Sequence, residues 1–65
     1  MTTKEVINHF GSVKAVGHFL NIEPTAVRLW GERPPKGRQF ELELRTGGAL
    51  KVDADLLPTH FSTEV

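Results

Sequence analysis

Thr25, Arg28 and Leu29 set a hydroxyl, a guanidinium and a branched apolar group within a few residues of one another. A guanidinium can bridge O6 and N7 of a guanine, a hydroxyl can bond a base edge or a phosphate, and an aliphatic group can rest on a thymine methyl. Glu23 and Pro24 stand just ahead of them. A carboxylate can accept from cytosine N4, and proline suits the first turn of a helix. The chemistry on offer is noncovalent reading of base edges, with Arg28 as the leading residue and Thr25, Leu29, Glu23 and Pro24 beside it. A second group would hold the DNA backbone. Ser12 offers a hydroxyl beside a helix start, where N–H groups bind phosphate. Lys14, Arg33, Lys36 and Arg38 offer positive charge. Each of these residues also has a plainer role as a solvated side chain or a helix-start residue.

Other chemistries find little support. No Gly-rich phosphate loop ends in Lys-Ser or Lys-Thr, and no HExxH motif occurs. Cysteine is absent, so neither a thiol nucleophile nor a disulfide framework is available. Glu41 and Glu43 would share a face only on a strand, and an acid/base pair needs a buried cleft that 65 residues can hardly build. His9, His18 and His60 match no ordinary metal-ligand spacing. The expectation is a non-enzymatic protein with no cofactor, no metal and no small-molecule substrate.

The formal net charge is zero, but its distribution is polar. Lys4, Lys14, Arg28, Arg33, Lys36 and Arg38 outnumber Glu5, Glu23 and Glu32 over residues 1–38. Glu41, Glu43, Asp53, Asp55 and Glu64 outnumber Arg45 and Lys51 in the remainder. A basic half can bind a polyanion through one face even when the whole chain is neutral. The start has no signal-peptide pattern and no run is long enough to span a membrane, so a cytoplasmic protein is expected.

Three short helices would position the candidate residues. Thr3 can cap the first, with Val6, Ile7 and Phe10 on one face and Gly11 as its stop. Ser12 caps a second that runs to Leu20 and carries Val13, Val16, Phe19 and Leu20 as its apolar stripe. A third covers residues 23–30, with Ala26, Val27 and Trp30 facing inward. Gly17 lowers helix propensity by roughly 1 kcal/mol relative to alanine, which points to the close approach of another helix. Asn21 can adopt the left-handed conformation that turns the chain, and Ile22 supplies an apolar plug after the turn. This ordered set of roles is what a DNA-reading helix-turn-helix needs.

The stretch after the Arg33-Pro34-Pro35-Lys36-Gly37 connector is ambiguous. Phe40, Leu42 and Leu44 alternate with charged residues, Gly47-Gly48 punctuates, and Leu50, Val52 and Ala54 alternate again. Periodicity alone reads this as a β-hairpin at about 38–55. The competitor is a helix from about Lys36 to Thr46, which pairs Phe40 with Leu44 and puts Leu42 on the far side.

The segment Val6-Ile7-Asn8-His9-Phe10-Gly11-Ser12, followed by Lys14-Ala15-Val16, Leu20-Asn21-Ile22, Ala26-Val27 and Trp30, resembles the Cro repressors of lambdoid phages. The resemblance continues without a gap through Phe40, Leu42-Glu43-Leu44, Thr46 and Gly48-Ala49-Leu50-Lys51, and is closest to the all-helical branch. Two positions depart from the family pattern: Val13 stands where a phosphate-contacting Gln is common, and Asn21 where Gly is usual.

The resemblance implies an all-α bundle of about five helices. The alternative is an α+β fold with three N-terminal helices and the C-terminal hairpin. It implies a sequence-specific repressor that reads half-sites of double-stranded operator DNA with the helix at about 23–30. Residues 1–58 would form one domain and 59–65 a polar tail. A weak homodimer is expected, joined through the apolar surplus of the C-terminal half: Phe40, Leu42, Leu44, Leu56, Leu57 and Phe61. The competing function is a protein-interaction or antitoxin-like helical module.

Overall fold

The computed structural model describes residues 1–57, and these hold four α-helices, one 3₁₀ turn and no strand. Helix α1 spans Thr3–Phe10, α2 Val13–Leu20, α3 Pro24–Arg28 and α4 Lys36–Arg45, with the 3₁₀ turn at Ala54–Leu56. The C-terminal half is thus helical where the hairpin was the alternative, and the count is four helices rather than about five. Pro58 and Phe61 lie outside the described residues, as does His60.

Helix α1 starts one residue earlier than Thr3 as a cap would allow. Thr2 is the cap: its hydroxyl accepts from the Glu5 backbone N–H at 3.0 Å, and the Glu5 carboxylate accepts from the Thr2 N–H at 2.7 Å. This reciprocal pair satisfies two donors that a helix start otherwise leaves free. Thr3 becomes the first helical residue, and its buried hydroxyl finds no partner among the described residues. Its N–H instead donates to the Glu32 carbonyl at 2.9 Å, tying α1 to the segment after α3. Gly11, at φ 103°, closes the helix in the left-handed region.

The core comprises Met1, Val6, Val16, Leu20, Val27, Leu42 and Leu50. Ile7, Phe10, Val13, Phe19, Ile22 and Trp30 are partly buried against it. The expected core residues of the three N-terminal helices therefore meet, with Phe10, Ile22 and Trp30 at its margin. Helix α3 is shorter than the expected 23–30. After Arg28 the chain tightens, with Trp30 N–H donating to Val27 at 3.2 Å, and Gly31 at φ 75° redirects it.

Helix α4 puts Leu42 on the far side from Phe40 and Leu44, as a helix here must, and it is the Leu42 side that turns inward. Leu42 is fully buried, while Phe40 is exposed and Leu44 is 82% exposed. The cause is Gln39, also fully buried, which occupies the interior beside Leu42 and is bonded on both ends of its amide. Its Nε2 donates to the Pro34 carbonyl at 3.0 Å and to Asp53 Oδ2 at 3.3 Å. Its Oε1 accepts from the Asp53 N–H at 3.1 Å and from the N-terminal ammonium at 3.4 Å.

The alternation over residues 50–53 is real but does not make a strand pair. Leu50 and Val52 are buried and Lys51 is exposed. The backbone N–H groups of Leu50, Val52 and Asp53 are taken by side chains of α4 and its C-cap: Thr46 Oγ1 at 3.2 Å, Glu43 Oε1 at 2.8 Å and Gln39 Oε1 at 3.1 Å. Buried backbone donors need partners, and here a helix face supplies what a neighbouring strand would.

Candidate nucleic-acid interface

Helices α2 and α3 pack against each other, and α1 packs on α2. Ser12 caps α2, its Oγ accepting from the Ala15 N–H at 3.0 Å. The turn that follows α2 is fixed at three points. Asn21 takes the left-handed conformation expected of it, at φ 59° and ψ 45°. The Ile22 N–H donates to the Gly17 carbonyl at 2.8 Å. A Cβ on Gly17 would stand 2.7 Å from the Ile22 carbonyl oxygen and 3.4 Å from the Pro24 nitrogen. What needs the missing side chain is thus the backbone of the turn together with the first residue of α3, so the close approach expected at Gly17 is made by the turn and the start of the next helix. Pro24 occupies the first turn of α3, where its lack of an N–H costs no helix bond.

This packing turns Val27 inward, fully buried, and leaves Thr25, Arg28 and Leu29 exposed. Leu29, at 80% exposure, is the C-cap of α3. A shallow depression beside the turn brings Ser12 and Lys14 of the α2 start together with Glu23 and Pro24 of the α3 start, over a floor that includes Gly17, Phe19 and Ile22. Thr25, Arg28 and Leu29 do not line it.

The cations divide into two sets. Lys14, Arg28 and Lys36 are exposed and make no ion pair among the described residues. Arg33 and Arg38 are engaged within the chain. Arg33 forms a two-pronged pair with Asp55, each N···O distance 3.0 Å, and reaches Asp53 at 3.2 Å. Arg38 donates to Glu41 at 2.7 Å. The Arg33 guanidinium lowers the Asp55 pKa below the usual carboxylate range, and the N-terminal ammonium, bonded to Asp53, lowers that of Asp53 with help from Gln39 and Arg33. Arg38, followed by Arg45, lowers that of Glu41. Part of the charge polarity seen in the sequence is therefore spent joining the two halves.

Two features escaped the sequence. Gln39 carried no signal, because one amide among polar residues looks like a surface residue. Arg45 reaches back from α4 to α2, where its Nη2 donates to the Phe19 carbonyl at 3.2 Å and its guanidinium carbon lies 4.3 Å from the centre of the Phe19 ring. Its spacing to Glu41, four residues earlier and bonded at 3.0 Å, was the available hint. Glu41 and Glu43 are not a pair: Glu41 faces Arg38 and Arg45, whereas Glu43 holds the Val52 N–H.

A small residue at the crossing, a left-handed turn residue, an apolar plug and an outward-facing second helix define a helix-turn-helix unit. The family model described as DNA-binding transcriptional regulator Cro matches residues 2–61. The chain is also 45% identical over 51 residues to the regulatory protein cro of Salmonella phage P22, covering 78% of this chain and 84% of that one. The chain belongs to the Cro family of DNA-binding transcriptional regulators. Comparison with solved structures gave no match.

Proposed function

We propose that the chain represses transcription by binding operator half-sites in double-stranded DNA, with α3 and Leu29 entering the major groove and α2 bracing it. The observation that carries this reading is the Gly17–Ile22 packing, which buries Val27 and leaves Thr25, Arg28 and Leu29 outward with no side-chain partner among the described residues. Arg28 takes direct base readout, bridging a guanine. Leu29 and Thr25 contact neighbouring base edges, and Glu23 and Pro24 set the start of the helix. Ser12 and Lys14, close to one another in the depression beside the turn, hold phosphate, as does Lys36. Arg33 and Arg38 already face carboxylates and contribute less to that hold.

A single unit of this size touches few base pairs, so the reading includes a weak homodimer on two half-sites about one helical turn apart. The outward residues Phe40, Leu44 and Leu57 are the surface for it. Leu42, expected among the interface residues, is buried in the core and is unavailable.

Selection of bound duplexes from a randomised pool, followed by mobility shifts over a series of salt concentrations, tests the function. The expected result is enrichment of one sequence whose affinity falls steeply as salt rises, through release of counterions from phosphate. A protein-interaction module would enrich no sequence and shift no duplex.

A further inference from the structure

We infer that Arg45 is a positioning residue that fixes the reading unit relative to the face joining two copies, and so sets the half-site spacing the protein accepts. The inference rests on the DNA-binding reading above. Helix α4 carries the exposed apolar residues Phe40 and Leu44, and the reading unit is α2 with α3. Among the described residues, the Arg45–Phe19 contact is the one hydrogen bond from an α4 side chain to any residue of α1, α2 or α3. The tightest helix packing is α2 on α3 and α1 on α2. Gln39 and Leu42 set which face of α4 turns inward, but Gln39 is bonded to Met1, Pro34 and Asp53 and to no residue of α1, α2 or α3, so the polar tie between α4 and the reading unit is the Arg45 contact.

The chemistry of the contact suits that role. Phe19 O is among the last four carbonyls of α2, which no helical N–H can reach. Asn21 N–H covers Gly17 and His18, Ile22 N–H also covers Gly17, and Arg45 covers Phe19. A cation there also meets the negative end of the α2 dipole. The guanidinium is planar, so one orientation serves the carbonyl, the Phe19 ring and the Glu41 carboxylate together; Glu41, one turn earlier on α4, holds the group in place, and a change of helix angle breaks the two contacts to Phe19. Phe19 itself stacks on Phe10 of α1, with ring centres 4.6 Å apart, so the contact is anchored to the body of the domain. In a twofold dimer, any tilt of α4 against α2 displaces both reading helices in opposite directions. Simultaneous binding of two half-sites is sensitive to such a mismatch, whereas binding of one is not.

The test uses the full chain and its Arg45→Ala and Arg45→Lys variants on duplexes bearing the selected half-site, singly and as inverted repeats of graded spacing. Wild type should favour one spacing by about tenfold over its neighbours, and Arg45→Ala should cut that preference to about twofold while single half-site affinity stays unchanged. Arg45→Lys keeps the charge but not the planar group and should fall between them. If Arg45→Ala proves unfolded by circular dichroism, the Lys variant decides, and a spacing profile identical to wild type overturns the inference. So does an Arg45→Ala profile like wild type, or an equal loss on single and paired sites, which would make Arg45 only a brace for the fold. A wild-type chain that binds no duplex overturns the DNA-binding reading itself, and this inference with it.

Discussion

The Ile22 carbonyl oxygen lies 2.7 Å from the point a β-carbon on Gly17 would occupy. The opposing atom belongs to backbone, and the same turn is tied back by the Ile22 N–H to the Gly17 carbonyl at 2.8 Å. Neither partner can rotate aside, so the chain must shift if a side chain is added.

Gly17→Ala should therefore destabilise the domain by about 1–3 kcal/mol, the usual range for overpacking. Helix propensity alone predicts a gain of roughly 1 kcal/mol in the other direction. The sign of the change in the urea midpoint thus separates the two effects. A more stable Gly17→Ala variant would mean that the turn tolerates the methyl and that Gly17 does not fix the crossing of α2 and α3.

Gln39 is expected to be worth more than any exposed ion pair. Its amide joins the Pro34 carbonyl, the Asp53 N–H and the N-terminal ammonium inside the fold. Gln39→Ala removes both ends of the amide and leaves these groups without it, which should cost on the order of 3 kcal/mol. Gln39→Glu keeps the shape but loses the donor to Pro34 and adds a carboxylate beside Asp53, so it should not rescue stability. Chemical denaturation of both variants checks this, and a loss confined to a few tenths of a kcal/mol would remove Gln39 from its central place.

Acid should unfold the domain through three carboxylates. Asp53, Asp55 and Glu41 all have pKa values lowered in the fold by the N-terminal ammonium, Arg33 and Arg38 respectively. A lowered carboxylate pKa means the unfolded chain takes up protons first as pH falls. The stabilisation is full above the ordinary carboxylate range and is lost as pH drops from about 4 through the lowered values. Asp55 is exposed and Asp53 and Glu41 are half-buried, so the effect should also shrink with added salt, most of all at Asp55. Arg33→Ala should flatten the acid limb of melting temperature against pH. An acid limb unchanged by that substitution would show that the pairs to Asp53 and Asp55 contribute nothing measurable.

The N-terminal half was legible because its positions are constrained locally. Ser12, Gly17, Asn21, Ile22 and Val27 each have a role set by neighbours within a few residues, and each occupies the expected place. The C-terminal half was not, because its logic is nonlocal. The alternation of Leu50, Lys51 and Val52 is a true burial pattern, yet its backbone donors meet Thr46 and Glu43 across a turn instead of a second strand. The inward face of α4 is decided by Gln39, whose partners Met1, Pro34 and Asp53 are scattered along the chain. Apolar content alone groups Leu42 with Phe40 and Leu44 as one interface surface and misses that Leu42 alone of the three turns inward. Among the site residues, spacing found the outward face of α3 but had no means to see that Arg33 and Arg38 face carboxylates.

The central claim is that Arg28 reads a base while Lys14 holds the backbone. Arg28 ends α3 on its exposed side, and Lys14 stands in the first turn of α2 beside Ser12. The most direct measurement is the affinity of Arg28→Ala and Lys14→Ala for the selected duplex and a scrambled one, at several salt concentrations. Arg28→Ala should lose about 1–3 kcal/mol on the selected duplex, much less on the scrambled one, and relax preference at one base pair. Lys14→Ala should weaken both duplexes alike and reduce the salt slope by about one unit. Parallel losses on both duplexes for Arg28→Ala would contradict the account and leave base reading to Thr25 or Leu29.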